Sequence, residues 1–497
     1  LPGAAVTGSR QWRWAAVALV VFLSAVCLRR AATQSIVSAE WDLHSRAIGL
    51  AASPSHGGMA APAAAVMSAV AGVSEFSLRL PDVVGGILFF TGLFLLGRLA
   101  FGDSPWLPLT VALGGLNPFA LDVCSMAAGR GLGLGCWTLA AYLTARWVAD
   151  GRPIPSLAGA LLGLAAAADP QQCFGVAALE IGLLVCLFAT KGRGGIRIAM
   201  AEIAPLCLIS WVIPALGYWV HPPFAFSDRT AARFLDGLKA LATASALHVP
   251  SSTGFWPRLG WLSIAATVAG LCAAALLSSG RERRLAMLFS VAGAAAGVLI
   301  WAVPRVGRDR WFGAEGLAFT LPLMSLGGAL LARRIHAKAG AVVALGVVAA
   351  FAWRFQTHAY YGYEAQAATR DVITRLEARE RSQPKARLLV SAPSSRSPEI
   401  DVYRKLRGIN WLAQAPDNSL ECAADFYYLP VARFARMESL GLRVIADDGR
   451  AGTVLAEMGT AARARVGVLR ELGFADEPQC NAGVMAEARW VDSNLDG

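Results

Sequence analysis

Ser38-Ala39-Glu40-Trp41-Asp42-Leu43-His44 gathers two carboxylates and an imidazole directly after an apolar run. A carboxylate in that setting can take a proton from a hydroxyl or amine. Oxygen donors beside a histidine also suit a divalent cation, so the residues leave metal dependence open. Glu40 and His44 stand four apart, on one face if the piece is helical, and Asp42 then points elsewhere. A capped, solvated surface helix fits the same residues equally well. Other isolated groups say less. His221-Pro222-Pro223 reads as a rigid turn. Glu180 and Glu202 fall in or beside apolar runs, where a carboxylate is a functional or a packed, protonated group.

The elements that must position these residues are membrane spans. Of 497 residues 56% are hydrophobic and 16% charged, with a mean hydropathy of +0.49. Soluble domains carry about 25% charged residues, so much of this chain avoids water. Its apolar blocks have roughly the 17–21 residues that cross a hydrocarbon core. Fifty glycines suit helices that approach closely in lipid. The net charge of +11 sits mainly at the ends of apolar blocks and forms no basic run interleaved with aromatics, which excludes a nucleic-acid partner. Nine cysteines show no metal-ligand spacing. Most lie in apolar blocks as small hydrophobes, while Cys422 and Cys480 could pair in an oxidising compartment. No residue is assigned as a metal ligand.

Eleven spans are expected, at 12–28, 82–101, 106–123, 131–148, 155–168, 173–190, 201–220, 259–279, 285–303, 316–332 and 339–355. Arg29-Arg30 stands where a signal-peptide cleavage site would need small residues, so the first helix is read as retained. A cytoplasmic N-terminus puts Arg98, Arg146, Arg193, Arg281 and Arg333 inside, as positive charge in short loops requires. The turn Asp169-Pro170-Gln171-Gln172, without Lys or Arg, then lies outside.

Outside also lie loop 29–81, with helical pieces near 36–52 and 60–72, loop 221–258, with one near 228–247, and loop 304–315. Beyond 355 the composition shifts to a charged helix at 365–381 and strand-like runs at 386–392, 425–429, 442–446 and 453–456. Such alternation indicates a small α/β domain. The expected architecture is mainly α and polytopic: residues 1–355 form the transmembrane domain and 356–497 an extracytoplasmic α/β domain and tail.

Three segments carry a family resemblance. Gly72-Val73-Ser74-Glu75-Phe76-Ser77-Leu78-Arg79-Leu80-Pro81 leads into the second span, which ends Leu96-Gly97-Arg98-Leu99-Ala100-Phe101-Gly102. Ala128-Gly129-Arg130-Gly131-Leu132 enters the fourth. Asp309-Arg310-Trp311-Phe312 precedes Leu321-Pro322-Leu323. With the acidic residues after the first span, these resemble the GT-C glycosyltransferases of bacteria, relatives of protein mannosyltransferases and of aminoarabinose transferases.

The resemblance implies a bacterial inner-membrane enzyme of the cell envelope. It would pass a hexosyl or pentosyl group from a polyprenyl-phosphate donor to a lipid, glycan or protein acceptor on the extracytoplasmic side. Glu40 and Asp42 become the catalytic candidates. Arg130, Arg305, Arg308 and Arg310 become the groups that hold the donor phosphate, whose charge grows as the sugar leaves and which guanidinium pairs bidentately. Contact of residues 305–310 with anionic membrane lipids is the competing account. His44, His56 and Arg79 are expected to position the acceptor or the loop, Arg79 by tying the loop to the span.

Some family features are altered. His56-Gly57-Gly58-Met59 stands where the family has His-Pro-Pro-Leu, Leu132 replaces an aromatic, and the acidic pair is split by Trp41. These changes favour a second reading, a non-catalytic GT-C-like subunit of a larger membrane complex.

Overall fold

The computed structural model describes residues 3–37, 40, 60–151, 153–191, 196–220, 255–302, 318–335, 337–354, 367–382, 384, 388–392, 397–415, 424–431, 442–448 and 452–458. The chain divides into two units. The first comprises residues 1–32, 52–72 and 76–357, and the second residues 33–51, 73–75 and 358–497.

The first unit is helical. Its elements are α1 (Gly3–Thr33), α2 (Ala60–Ala71), α3 (Glu75–Phe101), α4 (Trp106–Gly115), α5 (Pro118–Val123), α6 (Arg130–Asp150) and α7 (Pro155–Ala168). There follow α8 (Gln172–Lys191), α9 (Ile196–Val220), α10 (Phe255–Leu277), α11 (Gly280–Ala302), α12 (Leu321–Ile335) and α13 (Ala337–Arg354). Among the described residues three stretches are long and apolar enough to cross a membrane: Arg10–Thr33, Glu75–Phe101 and Gln172–Thr190. Leu276, Leu277, Val342 and Val343 are each more than two-thirds exposed. Such outward-facing aliphatics suit a hydrocarbon surround rather than water, and the protein is a membrane protein.

Two boundaries differ from the sequence reading. The stretch 106–123, expected as one span, is two helices. After α4 ends, Asn117 accepts from Phe119 N at 3.0 Å as the N-cap of α5, and Pro118 follows at its first position, where its missing N–H costs nothing. Conversely, α3 begins at Glu75 and runs through Pro81, giving up one backbone hydrogen bond.

Helices close on one another through small residues. A Cβ on Gly131 of α6 would lie 2.7 Å from Asp82 O and 2.8 Å from Val123 O. On Gly85 or Gly135 it would overlap the facing backbone of the other helix, so α3 and α6 cross in backbone contact. Gly159 of α7 approaches Leu206 of α9, and Gly182 of α8 approaches Leu288 of α11, in the same way. Where lipid replaces water, such close approach is a main source of helix association.

The second unit contains α14 (Thr369–Ser382), β1 (Leu388–Ser391), α15 (Ser397–Leu406), β2 (Leu412–Ala415), β3 (Phe426–Pro430), β4 (Leu442–Asp448) and β5 (Thr453–Met458). The sheet order is β2-β1-β3-β5-β4. β1 runs parallel to β2, with Leu388 opposite Leu412, and to β3, with Val390 opposite Phe426. β5 is antiparallel to both β3 and β4, with a register shift between Val444 and Ala446. The core joins Ile373, Leu376, Val390, Ile400, Tyr403, Leu412 and Tyr428 with Ile36 from the first loop.

Candidate functional site

In the first unit, polar side chains collect where α1 ends, α3 and α6 begin, and α7 turns into α8. Asp82, on the second turn of α3, is 1% exposed. Its Oδ2 accepts from Ala128 N at 3.0 Å and from Gly129 N at 2.9 Å, and its Oδ1 from Leu132 N at 3.1 Å. The first N–H groups of a helix have no partner inside it. Gly129, the N-cap of α6, sits at φ 75°, which favours glycine, and offers no capping side chain. Asp82 therefore caps α6 from a different helix, where a carboxylate also meets the positive end of the helix dipole. Arg130 is the first residue of α6 and is half-buried.

The neighbouring contacts extend this polar end. Arg30 of α1 and Asp122 of α5 form a buried ion pair. Arg79 is fully buried, and its Nη1 donates to Ala31 O at 3.1 Å, joining the start of α3 to the end of α1. Asp169, the C-cap of α7, accepts from Gln171 N at 3.1 Å and from Gln172 Nε2 at 3.3 Å. A Cβ on Gly133 would lie 3.2 Å from both the Asp169 Cβ and the Gln172 Cγ, which fixes this turn against the first turn of α6. Arg30, Arg79 and Arg130 are thus balanced by Asp82, Asp122 and Asp169. Among these six the formal charges cancel.

Two of the resembling segments meet here. The residue after Arg79-Leu80-Pro81, Asp82, accepts from the backbone N–H groups of Ala128, Gly129 and Leu132 in the second segment. Sequence reasoning did not single out Asp82, Asp122 or Asp169 for a role. A carboxylate within an apolar run was the available signal for Asp82 and Asp122.

Glu40 lies in the second unit and is fully buried. Its Oε2 accepts from Val37 N at 3.1 Å, and its own N donates to Val37 O at 2.9 Å. A carboxylate reaching back three residues to an N–H is half of a capping box. Upstream, Ile36 N donates to Tyr403 Oη at 3.0 Å, and Ser35 Oγ donates to Ala367 O at 2.6 Å. Asp42, His44, His56, Arg305, Arg308 and Arg310 lie outside the described residues, as do helical pieces expected near 36–52 and 228–247 except Ile36, Val37 and Glu40. Among the described residues no three His, Cys, Asp or Glu side chains gather as a cation site.

No protein-family model matches the chain, and no curated protein matches it. Solved structures do. The crystal structure of ArnT from Cupriavidus metallidurans bound to undecaprenyl phosphate is similar at a TM-score of 0.55 and 12% identity, over 90% of this chain and 98% of that one. The apo state of ArnT gives a TM-score of 0.51 at 13% identity with the same coverage. The chain shares its fold with ArnT over 90% of its length.

Proposed function

We propose that this chain, built on the GT-C fold, is a membrane glycosyltransferase. It transfers a sugar from a polyprenyl-phosphate donor to a lipid, glycan or protein acceptor on the extracytoplasmic side of a bacterial inner membrane. The observation that carries this reading is the fold shared over 90% of the chain with a protein solved holding undecaprenyl phosphate. On this reading the chain has eleven spans and a cytoplasmic N-terminus, and residues 356–497 lie outside.

The reaction breaks the bond between the sugar's anomeric carbon and the phosphate oxygen. It forms a new bond from that carbon to the acceptor oxygen or nitrogen, with inversion. Glu40 or Asp42 takes the acceptor's proton, and the leaving polyprenyl phosphate keeps the electron pair. Arg130, Arg305, Arg308 and Arg310 hold that phosphate. Because the six charged groups described above cancel, the 305–310 segment supplies the net positive charge that the leaving group requires. His44, His56 and Arg79 position the loop or the acceptor.

One observation favours the second reading, a non-catalytic GT-C-like subunit of a larger membrane complex. Glu40 is fully buried and engaged by the Val37 N–H, and a base must be free to reach the acceptor.

Native mass spectrometry of the purified protein with added undecaprenyl phosphate tests the donor assignment. We expect one bound carrier per chain, and weaker binding by about tenfold in Arg308→Ala and Arg310→Ala, the cost of one charge-assisted contact. Carrier binding that is absent, or indifferent to both arginines, refutes it.

A further inference from the structure

Residues 33–37 lead from α1 into the second unit, and that unit grips them at adjacent positions. Ser35 Oγ donates to Ala367 O at 2.6 Å and accepts from Arg370 N at 3.2 Å. The next residue, Ile36, gives its N–H to Tyr403 Oη at 3.0 Å. The Ile36 and Tyr403 side chains are both fully buried in the core with Val372, Ile400 and Leu412. A buried tyrosine hydroxyl ordinarily finds a partner, and here that partner is the loop backbone. Arg370 meets both ends of the first loop, since its guanidinium Nε also lies 3.7 Å from Glu75 Oε1.

The residue after Ile36 is Val37, whose N–H and carbonyl both bond Glu40. The amide held by Tyr403 and the amide that holds the Glu40 carboxylate therefore belong to adjacent planar peptide units, joined at the Ile36 Cα. Ile36 is fixed at both its side chain and its N–H, so Val37, and with it Glu40, has little freedom left. Misplacing a reacting group by about 1 Å costs on the order of 100-fold in rate.

From this chain of contacts we propose that Tyr403, together with Ser35, is a positioning residue for Glu40, making the C-terminal α/β unit part of the catalytic apparatus. The proposal rests on the reading of Glu40 as a group that acts in transfer. It adds that the register of this group is set from residues 367–403, more than three hundred positions further along the chain.

The test uses the full-length protein in lipid nanodiscs, with polyprenyl-phosphate-linked sugars extracted from native membranes as donor. Tyr403→Phe keeps the buried ring and removes only the acceptor oxygen. Ser35→Ala removes the neighbouring grip, and Ser35→Thr keeps a hydroxyl. Tyr403→Phe and Ser35→Ala are each expected to speed amide exchange at residues 36 and 40 about tenfold, and to lower kcat about tenfold, the order of one lost buried hydrogen bond. KM for the donor should stay within about twofold, because the donor site is untouched, and Ser35→Thr should recover most of kcat. Unchanged exchange overturns the proposal. So does faster exchange at wild-type kcat, or a loss that appears in KM alone. An inert wild-type protein fails differently: it removes the transferase reading itself, and this inference with it. An active wild type with an equally active Tyr403→Phe removes only this inference.

Discussion

Asp82→Ala is the sharpest test of how the polar end of the first unit is built. The substitution removes a buried carboxylate that accepts from Ala128, Gly129 and Leu132 at 2.9–3.1 Å. Hydrogen bonds to a charged acceptor contribute about 1.5–3 kcal/mol each, so three amount to roughly 5–9 kcal/mol. Against that stands the desolvation of the carboxylate, several kcal/mol, which the alanine no longer bears. The net destabilisation expected is about 2–4 kcal/mol. Asp82→Asn is milder. If its amide oxygen replaces Oδ2, the bonds from Ala128 and Gly129 survive, and its NH2 faces the Leu132 N–H. One bond is lost and a donor meets a donor, at about 1–2 kcal/mol. Equilibrium unfolding in mixed micelles measures the ranking of wild type, Asn and Ala. Amide exchange at residues 128–132 locates the effect. An Ala variant as stable as wild type, or unchanged protection at those amides, refutes the cross-helix cap.

Gly85→Ala should prevent recovery of monodisperse protein, because its Cβ overlaps the Gly131 carbonyl and overpacking costs about 1–3 kcal/mol or more. Gly293→Ala, with nothing within 4 Å, should instead be neutral or stabilising by about 0.5–1 kcal/mol; size-exclusion profiles and thermal unfolding compare the two. Arg30→Met should destabilise by about 3–5 kcal/mol by removing the guanidinium paired with the buried Asp122, and Arg30→Met with Asp122→Leu should recover most of the loss in the same unfolding assay. Glu180 accepts from Ser210 Oγ at 2.5 Å and from Trp211 Nε1 at 3.0 Å, joining α8 to α9. Glu180→Ala should therefore lower stability by about 1–2 kcal/mol, and Glu180→Gln, which keeps one acceptor, by about half as much.

The helices were legible because apolar runs of fixed length leave few alternatives: the expected runs fall largely on described helices, and three of the described stretches are long and apolar enough to cross a membrane. The break in 106–123 was harder to see, since apolar residues continue on both sides of Asn117-Pro118 and only the cap marks the new start. Four strands were anticipated. β2, Leu-Ala-Gln-Ala, has no β-branched residue and no clean alternation, and it is a strand because β1 supplies a parallel partner. The candidate site was only partly legible. The partners of Asp82 are backbone N–H groups 46–50 positions away, and backbone donors leave no mark on a side-chain pattern. Arg30 was read, with Arg29, only as the mark of a retained first helix, yet its partner Asp122 lies 92 positions on. The anchoring of Ser35 and Ile36 by Ala367, Arg370 and Tyr403 is likewise a long-range pairing that periodicity does not encode.

The central claim is tested most directly by turnover of the purified protein in proteoliposomes loaded with polyprenyl-phosphate-linked sugars extracted from native membranes and supplied with extracytoplasmic acceptor lipids and glycans. The quantity measured is free polyprenyl phosphate released over time. The wild-type chain should release it, and Glu40→Gln and Asp42→Asn should each release at least about 100-fold less while still binding the carrier, as loss of a general base requires. Wild type, Glu40→Gln and Asp42→Asn that release none, together with co-purification of the chain in fixed stoichiometry with larger membrane proteins, would contradict it.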